Sequence, residues 1–219
     1  MAEKLILGIS GSPRKGANTD LMLQEALRAA ETVEGVRTEM LCLRDYEIHN
    51  CKGCFACCRE GGKKDGGIHA CAMFRDGMDE IYPKLKACGG LILASPVYFA
   101  SMSAQMKQFM DRTEGLLRYG TSQYQYGLQN KVGGALVVGG NRNAGEELTI
   151  LEMQAFFQVH DMIVVGSGGE PTPGCYHGGA CTTYPQKGDI RDAVLQDEIG
   201  LKSARNLGVR VAKTLWMLK

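Results

Sequence analysis

Five of the nine cysteines in this 219-residue chain lie between positions 51 and 71. Cys51, Cys54 and Cys57 recur at every third position, Cys58 is adjacent to Cys57, and thirteen residues separate Cys57 from Cys71. Three thiolates at this spacing can converge on one inorganic centre, and a fourth from further along the chain can complete it, as in iron–sulfur clusters. A four-cysteine zinc site and a set of reactive thiols without metal are the two alternatives.

A loop near the amino terminus carries residues that could bind a phosphate group. It follows the apolar segment Leu5–Ile9, contains the hydroxyls of Ser10, Ser12 and Thr19, and precedes a helical pattern. The free N–H groups at the start of a helix, together with nearby hydroxyls, attract a phosphate monoester. The loop lacks the lysine of a P-loop and has no GxGxxG fingerprint. Arg14 either adds a charged contact or points to solvent, and an ordinary tight turn is the alternative interpretation of the segment.

Two further segments follow apolar runs in the same way. Ser95–Phe99 offers backbone amides and two aromatic side chains against which a flat ring could rest, although an aromatic pair packed at a strand end is the simpler interpretation. Gly139–Glu147 again opens a helical pattern, and its glycines would let the chain pass close to the same ring. Because ligands of open α/β sheets bind beyond the carboxyl ends of the strands, we expect the three loops to form one site.

The elements that must position these loops are predicted from hydrophobic periodicity. Continuous apolar runs next to glycine indicate strands that are buried on both faces. Five strands are predicted, the second at a sheet edge: Leu5–Ile9, Thr38–Leu43, Leu91–Ala94, Ala135–Val138 and Met162–Val165. Helical patterns alternate with them at about 18–34, 78–85, 106–110, 148–159 and 207–218. This alternation predicts a doubly wound, five-stranded parallel sheet in a three-layer αβα fold, with one α/β domain over residues 1–219.

Two long segments without a periodic pattern interrupt this alternation. Residues 46–76 form the cysteine-rich loop, and residues 166–189 are rich in glycine, proline and threonine. Loops of this length inside a compact domain usually serve a function. Cys175, His177 and Cys181 in the second segment lack metal-ligand spacing, which favours a lid over the site, with a metal site as the alternative.

Three segments, GSPRKGANT, SPVYFASMSAQMKQFMDR and GGNRNAGEE, resemble the flavin loops of the NAD(P)H-dependent FMN reductase family, and the resemblance covers nearly the whole chain. It implies a flavodoxin-like fold, bound FMN and an FMN-dependent oxidoreductase, with Asp111 and Arg112 as a structural pair at a helix end. The implied FMN ligands are Ser10, Ser12, Arg14, Asn18 and Thr19 for the phosphate, Pro96, Val97, Tyr98 and Phe99 on one side of the isoalloxazine, and Gly139, Gly140 and Asn141 on the other.

The cysteine loop resembles the compact motif of the iron–sulfur flavoproteins, a branch of this family that holds a 4Fe-4S cluster next to FMN and exchanges electrons with ferredoxin-like partners. The resemblance implies Cys51, Cys54, Cys57 and Cys71 as cluster ligands. The gap before Cys71 is wider than in that branch, so Cys58 is the alternative fourth ligand. The family also implies a homodimer or homotetramer. Without a cluster, the chain would be an NAD(P)H-dependent reductase of flavins, quinones or metal ions.

Charge and hydropathy narrow the classes of partner. The formal net charge is +1, from 25 basic and 24 acidic residues with mixed signs, so no nucleic-acid partner is expected. A flavodoxin-like electron carrier, the third functional alternative, would be strongly acidic and is therefore disfavoured. No apolar stretch reaches the ~18 residues of a membrane span, and no signal peptide is recognised, so a cytoplasmic protein is expected. No catalytic acid–base or nucleophilic triad is found in the sequence. None is needed, because FMN would carry the redox chemistry.

Overall fold

The computed structural model describes residues 3–58, 64–65, 68–69, 71–119, 123–124, 126–168, 176–184 and 188–218. Its strands are β1 (Lys4–Ser10), β2 (Val36–Cys42), β3 (Lys64–Asp65), β4 (Ile68–His69), β5 (Gly90–Pro96), β6 (Arg118–Tyr119), β7 (Gln123–Tyr124), β8 (Val132–Gly139), β9 (Ile163–Val164) and β10 (Gly179–Thr182). Its α-helices are α1 (Asn18–Glu31), α2 (Met78–Ala87), α3 (Ala104–Arg112), α4 (Glu114–Leu117), α5 (Glu146–Val159) and α6 (Glu198–Met217).

The main sheet is parallel throughout and contains six strands, in the order β10–β8–β5–β1–β2 with β9 also paired to β8. The two short strands share one position, because β9 pairs with Val132 and Gly133 and β10 pairs with the segment from Leu136 to Gly139. The five-stranded prediction is corrected in this respect. The sequence Gly179–Thr182 lies inside the predicted loop 166–189, and it contains no β-branched or aromatic run that would have indicated a strand.

Helices cover both faces of the sheet, which confirms the three-layer arrangement. Successive residues of β1 point to opposite faces, so Ile6 packs with Leu23 of α1 and Leu207 of α6. Leu7 belongs to the core on the other face, with Phe109 of α3 and residues of α2 and α5. Both faces of the central strands are therefore dry, as their continuous apolar sequences predict.

The parallel pairing brings the three predicted flavin loops to one edge of the sheet. Ser10 at the end of β1 pairs with Ala94 of β5, and Pro96 of β5 pairs with Val138 of β8. The first residue after β1 is held to β5, since the amide of Gly11 donates to the Ala94 carbonyl at 2.8 Å. The carboxyl ends of β1, β5 and β8 thus form the rim at which ligands of such sheets bind. Across the described ranges, no helix is long and apolar enough to cross a bilayer.

Candidate functional site

A cavity of about 240 Å³ lies at this edge of the sheet, and all three predicted flavin loops line it. It brings together nine of the twelve predicted FMN ligands: Ser12, Arg14, Asn18, Thr19, Pro96, Val97, Tyr98, Gly139 and Gly140. Thr183 and Ile190 also line it, so the chain that follows β10 borders the cavity on a further side. Ser10, Phe99 and Asn141 are not among the lining residues.

The start of α1 offers unsatisfied N–H groups to this cavity. Its N-cap is Ala17, which has no side-chain acceptor, so no side chain caps the first turn. The hydroxyl of Thr19, in the same turn, makes no hydrogen bond within the described part of the chain. Uncapped amides at the positive end of a helix, together with a free hydroxyl, form a site for an anion.

Ser10 and Asp20 hold the phosphate loop from beneath. The Ser10 hydroxyl donates to Asp20 Oδ1 at 2.6 Å, and the amide of Gly16 donates to Asp20 Oδ2 at 2.8 Å. Ser10 is fully buried and its hydroxyl is bonded inside the loop, so its contact with phosphate stays a prediction. Arg44, which follows β2, pairs with the same carboxylate at 2.8 Å.

Asn18 ties the segment before α6 to the phosphate loop. Its amide nitrogen donates to the carbonyl of Ile190 at 2.5 Å, and its oxygen accepts from the amide of Val194 at 2.9 Å. Both functional groups of this side chain therefore have protein partners. Asn18 borders the cavity, and its contacts explain how residues 188–194 are placed beside it.

An aromatic segment follows β5 at the cavity mouth. Tyr98 lines the cavity and is half-exposed, whereas Phe99 is fully exposed to solvent. Phe99 and Ala100 both adopt left-handed backbone angles, with φ of 52° and 59°, which non-glycine residues rarely do. Gly145 packs directly against Ala100, and a Cβ atom on Gly145 would collide with the Ala100 backbone. The second and third predicted flavin loops therefore pack closely against each other.

The four predicted cluster ligands line a second, larger cavity of about 780 Å³: Cys51, Cys54, Cys57 and Cys71. Ser101 and Met102 border this cavity as well. Tyr98 of the first cavity and Ser101 of the second exchange backbone hydrogen bonds of 2.8 and 3.1 Å. One tight turn thus separates the candidate flavin site from the cysteines.

The chain turns sharply between the first three cysteines. Gly53 and Phe55 have φ of 61° and 54°, and the amide of Gly53 donates to Cys51 Sγ at 3.4 Å. None of Cys51, Cys54, Cys57 and Cys71 forms a disulfide. Among the described residues, no three His, Cys, Asp or Glu side chains lie close enough together to hold a metal ion. The side chain of Cys58 lies outside the described residues, so the ligand set stays a prediction.

A buried ion pair anchors both ends of the cysteine loop to α3. Arg112 Nη1 lies 2.6 Å from Asp76 Oδ2 and donates to the carbonyl of His49 at 2.7 Å. The charged groups of Arg112 and Asp76 are almost completely buried. Burial raises the pKa of Asp76, but hydrogen bonds from Arg112, His49 and Met78 outweigh it and lower the pKa to about 2. These contacts agree with the structural role that the resemblance implies for Arg112, and Asp111 pairs with Lys107 at the surface.

The remaining cysteines and histidines have different surroundings. Burial raises the pKa of the Cys88 thiol to about 11, which keeps it neutral. Cys181 is buried in β10 and His177 is exposed, while Cys175 lies outside the described residues.

His160 lines the cysteine cavity, with Nε2 at 2.9 Å from the Thr113 hydroxyl. That hydroxyl donates to the Met110 carbonyl, so His160 Nε2 carries the proton that it donates to Thr113.

The comparisons with known proteins agree with this geometry. The family model of NADPH-dependent FMN reductases matches residues 5–170. The chain belongs to this family. It is an FMN-dependent oxidoreductase. The residues around the cavity suit FMN: an uncapped helix start can receive the phosphate, and a half-exposed aromatic side chain and open space at Gly140 leave room for the ring. When bound, FMN supplies the redox chemistry, and the protein binds and orients it.

Two relatives of this reductase family and one solved structure extend the comparison. The chain is 44% identical over 214 residues to an iron–sulfur flavoprotein of Methanocaldococcus jannaschii, with 98% of both chains covered. It is 34% identical over 214 residues to an iron–sulfur flavoprotein of Methanosarcina thermophila, with 98% of this chain and 96% of the relative covered. The crystal structure of a WrbA-like flavodoxin from Agrobacterium tumefaciens matches with a TM-score of 0.63 at 16% identity, covering 99% of this chain and all of the other, which supports the flavodoxin-like fold.

Several residues that shape the sites were missed from the sequence. Asp20 and Arg44 organise the phosphate loop, yet they lie 24 positions apart and in different elements. Asp76 was also missed, and it lies 36 positions from Arg112, the partner that the resemblance had singled out as structural. Only the position of Asp20, in the first turn of a predicted helix, was a usable signal, because acidic residues there often accept backbone N–H bonds.

Proposed function

We propose that the chain is an iron–sulfur flavoprotein, in which a 4Fe-4S cluster held by Cys51, Cys54, Cys57 and Cys71 exchanges electrons with FMN bound at the three sheet-edge loops. The observation that carries this proposal is the turn between Tyr98 and Ser101. It borders the candidate flavin cavity on one side and the cysteine cavity on the other. The turn would then offer a route for electrons between the two sites within one chain.

The FMN half of the proposal assigns roles to the loops. The phosphate would lie at the N-terminus of α1, against Ser12, Arg14 and Thr19, and the isoalloxazine would rest on the Pro96–Tyr98 segment with Gly139 and Gly140 opposite. Ser10 and Asn18 would support the loop through their protein hydrogen bonds. Phe99 and Asn141 are exposed at the rim, where they would contact the flavin edge or a second substrate.

The cluster half rests on the number and chemistry of the thiols. Four cysteines without disulfides border one cavity, and the Gly53 amide already donates to the sulfur of Cys51, as amides around iron–sulfur clusters do. Cys71 lies on that cavity despite its wide spacing in the sequence. This placement supports Cys71 as a ligand, with Cys58 kept as the alternative. The names of the relatives, iron–sulfur flavoproteins, support the presence of a cluster.

The partners follow from the same chemistry. The proposed electron donors and acceptors are NAD(P)H, a small-molecule acceptor and a ferredoxin-like protein. The exposed apolar side chains of Phe55, Met73 and Val159 beside the cysteine cavity support a homodimer or homotetramer that would cover them. None of the cysteines whose side chains the structure describes forms a disulfide, which suits a reducing compartment, so a cytoplasmic location is proposed.

A cysteine-to-serine series tests the ligand set. Each of Cys51, Cys54, Cys57 and Cys71 is replaced singly, and iron and acid-labile sulfide are measured after anaerobic purification. We expect each substitution to remove most of the iron, because serine is a poor ligand for the cluster. Cys58→Ser and Cys42→Ser are matched controls that should retain it. Iron loss in Cys58→Ser with retention in Cys71→Ser would reverse the assignment of the fourth ligand.

A further inference from the structure

Asp20 places a buried negative charge at the end of the helix that the proposed FMN phosphate would approach. The carboxylate is 1% exposed and lies in the first turn of α1. It accepts from the Ser10 hydroxyl and from the Gly16 amide, so it fixes the loop at two points. A phosphate dianion at the same helix end would be repelled by this carboxylate unless a positive charge compensated it.

Arg44 supplies that positive charge from outside the loop. Its guanidinium lies 2.8 Å from Asp20 Oδ2 through Nη2 and 3.1 Å from Oδ1 through Nη1, a two-point contact. Nη1 also donates to the carbonyl of Ser12 at 3.1 Å. The Arg44 side chain is 12% exposed and that of Asp20 is 2% exposed, so solvent screens the pair weakly. Arg14, in contrast, is an exposed residue that lines the cavity directly.

We propose that Arg44 is a positioning and specificity-determining residue, which lets the loop accept a flavin phosphate by neutralising Asp20. The proposal rests on the FMN site described above and adds to it a determinant of FMN over riboflavin. Asp20 shapes the loop through hydrogen bonds, and Arg44 cancels the charge that this shaping introduces. A flavin without phosphate does not meet that charge, so its binding does not depend on the pair.

The test compares two ligands that differ only in the phosphate. Flavin-depleted full-length protein is titrated with FMN and with riboflavin, and the ratio of their dissociation constants is the readout. Arg44→Gln keeps N–H donors for the loop carbonyls but removes the charge. We expect it to weaken FMN binding by about 10–100-fold, the size of one charge-assisted contact, and to leave riboflavin binding nearly unchanged.

Two further variants separate charge from structure. Arg44→Lys keeps the charge, and the double variant Asp20→Asn/Arg44→Gln removes both charges. Each should retain most of the wild-type preference for FMN. If Arg44→Gln does not fold, these two variants still decide the matter, because loss of the preference in either would overturn the proposal.

The failures of this inference and of the proposed FMN site are distinguishable. Equal weakening of both ligands in Arg44→Gln, or no recovery in the double variant, would show that the pair only stabilises the fold. Equal affinities of the wild-type protein for FMN and riboflavin would refute the phosphate site at α1 itself, and this inference with it.

Discussion

Tyr98 and Ser101 exchange two backbone hydrogen bonds, of 2.8 and 3.1 Å, and line two different cavities. Such a paired turn restrains the two residues relative to each other, because neither can shift without breaking hydrogen bonds to the other. Phe99 and Ala100 between them are held in left-handed conformations. Strain of this kind persists where the surroundings impose it and is frequent at functional sites.

Gly145→Ala should disrupt this turn. Gly145 has φ of 106°, and its new methyl group would collide with Ala100. We expect a loss of about 2–4 kcal/mol in the free energy of unfolding, from backbone strain together with the clash, and weaker FMN binding. Urea unfolding and flavin titration measure the two effects. Gly188→Ala is the matched control, because Gly188 also has a positive φ, of 81°, while a Cβ atom added there meets no described atom within 4 Å. An equal effect in both variants would mean that the contact with Ala100 is irrelevant.

Arg112→Gln should loosen both ends of the cysteine loop. Removing one member of a buried ion pair leaves the carboxylate of Asp76 uncompensated, and such changes lower the free energy of unfolding by about 3–5 kcal/mol. We also expect a lower iron content per chain. The control is Lys107→Gln on the same helix, whose pair with Asp111 is exposed and should contribute less than about 1 kcal/mol. Similar losses in both variants would contradict the anchoring role of Arg112.

Thr19→Val should weaken FMN binding by about 10–100-fold, the value of one hydrogen bond to a charged group, and leave riboflavin binding unchanged. The substitution preserves the shape of the side chain and removes the hydroxyl of a residue that lines the candidate flavin cavity. Fluorescence titration with both flavins gives the affinities. Thr32→Val, just beyond the far end of α1, serves as the control. An unchanged FMN affinity in Thr19→Val would remove Thr19 from the phosphate site.

His160 should make stability depend on pH. Burial lowers its pKa to about 4 from an ordinary value of 6.5, so the unfolded chain binds a proton at a pH where the folded chain does not. Stability should therefore fall as the pH decreases from about 6.5 to about 4, by up to about 1.4 kcal/mol per pH unit, with no further loss from this group below about 4. Urea unfolding between pH 7.5 and 5 should show a shallower decline in His160→Gln. The exposed His177→Gln should keep the wild-type slope, and an identical slope in His160→Gln would contradict the assignment.

The sequence predicts the sheet well because its central strands are apolar on both faces. β1, β5 and β8 lie at their predicted positions, and β2 is the predicted edge strand. The short β10 escapes prediction because Gly179–Thr182 carries no strand periodicity and depends on pairing with β8. Its position also explains why Cys181 is buried rather than part of an open lid.

The site is predicted less completely than the fold. Loops that face a ligand can be recognised in the sequence by glycine, serine and aromatic residues at strand ends. Nine of the twelve predicted FMN ligands line one cavity. The pairing of Asp20 with Arg44 and of Asp76 with Arg112 cannot be predicted in this way. Ion pairs between distant elements depend on the tertiary fold and have no characteristic spacing in the sequence. Charged residues in a single sequence otherwise indicate a solvated surface.

The most direct test of the account is an absorption spectrum of the anaerobically purified wild-type protein, combined with iron, acid-labile sulfide and flavin assays. An iron–sulfur flavoprotein predicts about one FMN and about four iron atoms per chain, with thiolate-to-iron absorption superimposed on the flavin bands. Flavin bands without iron or sulfide would contradict the cluster assignment and leave a cluster-free NAD(P)H-dependent reductase.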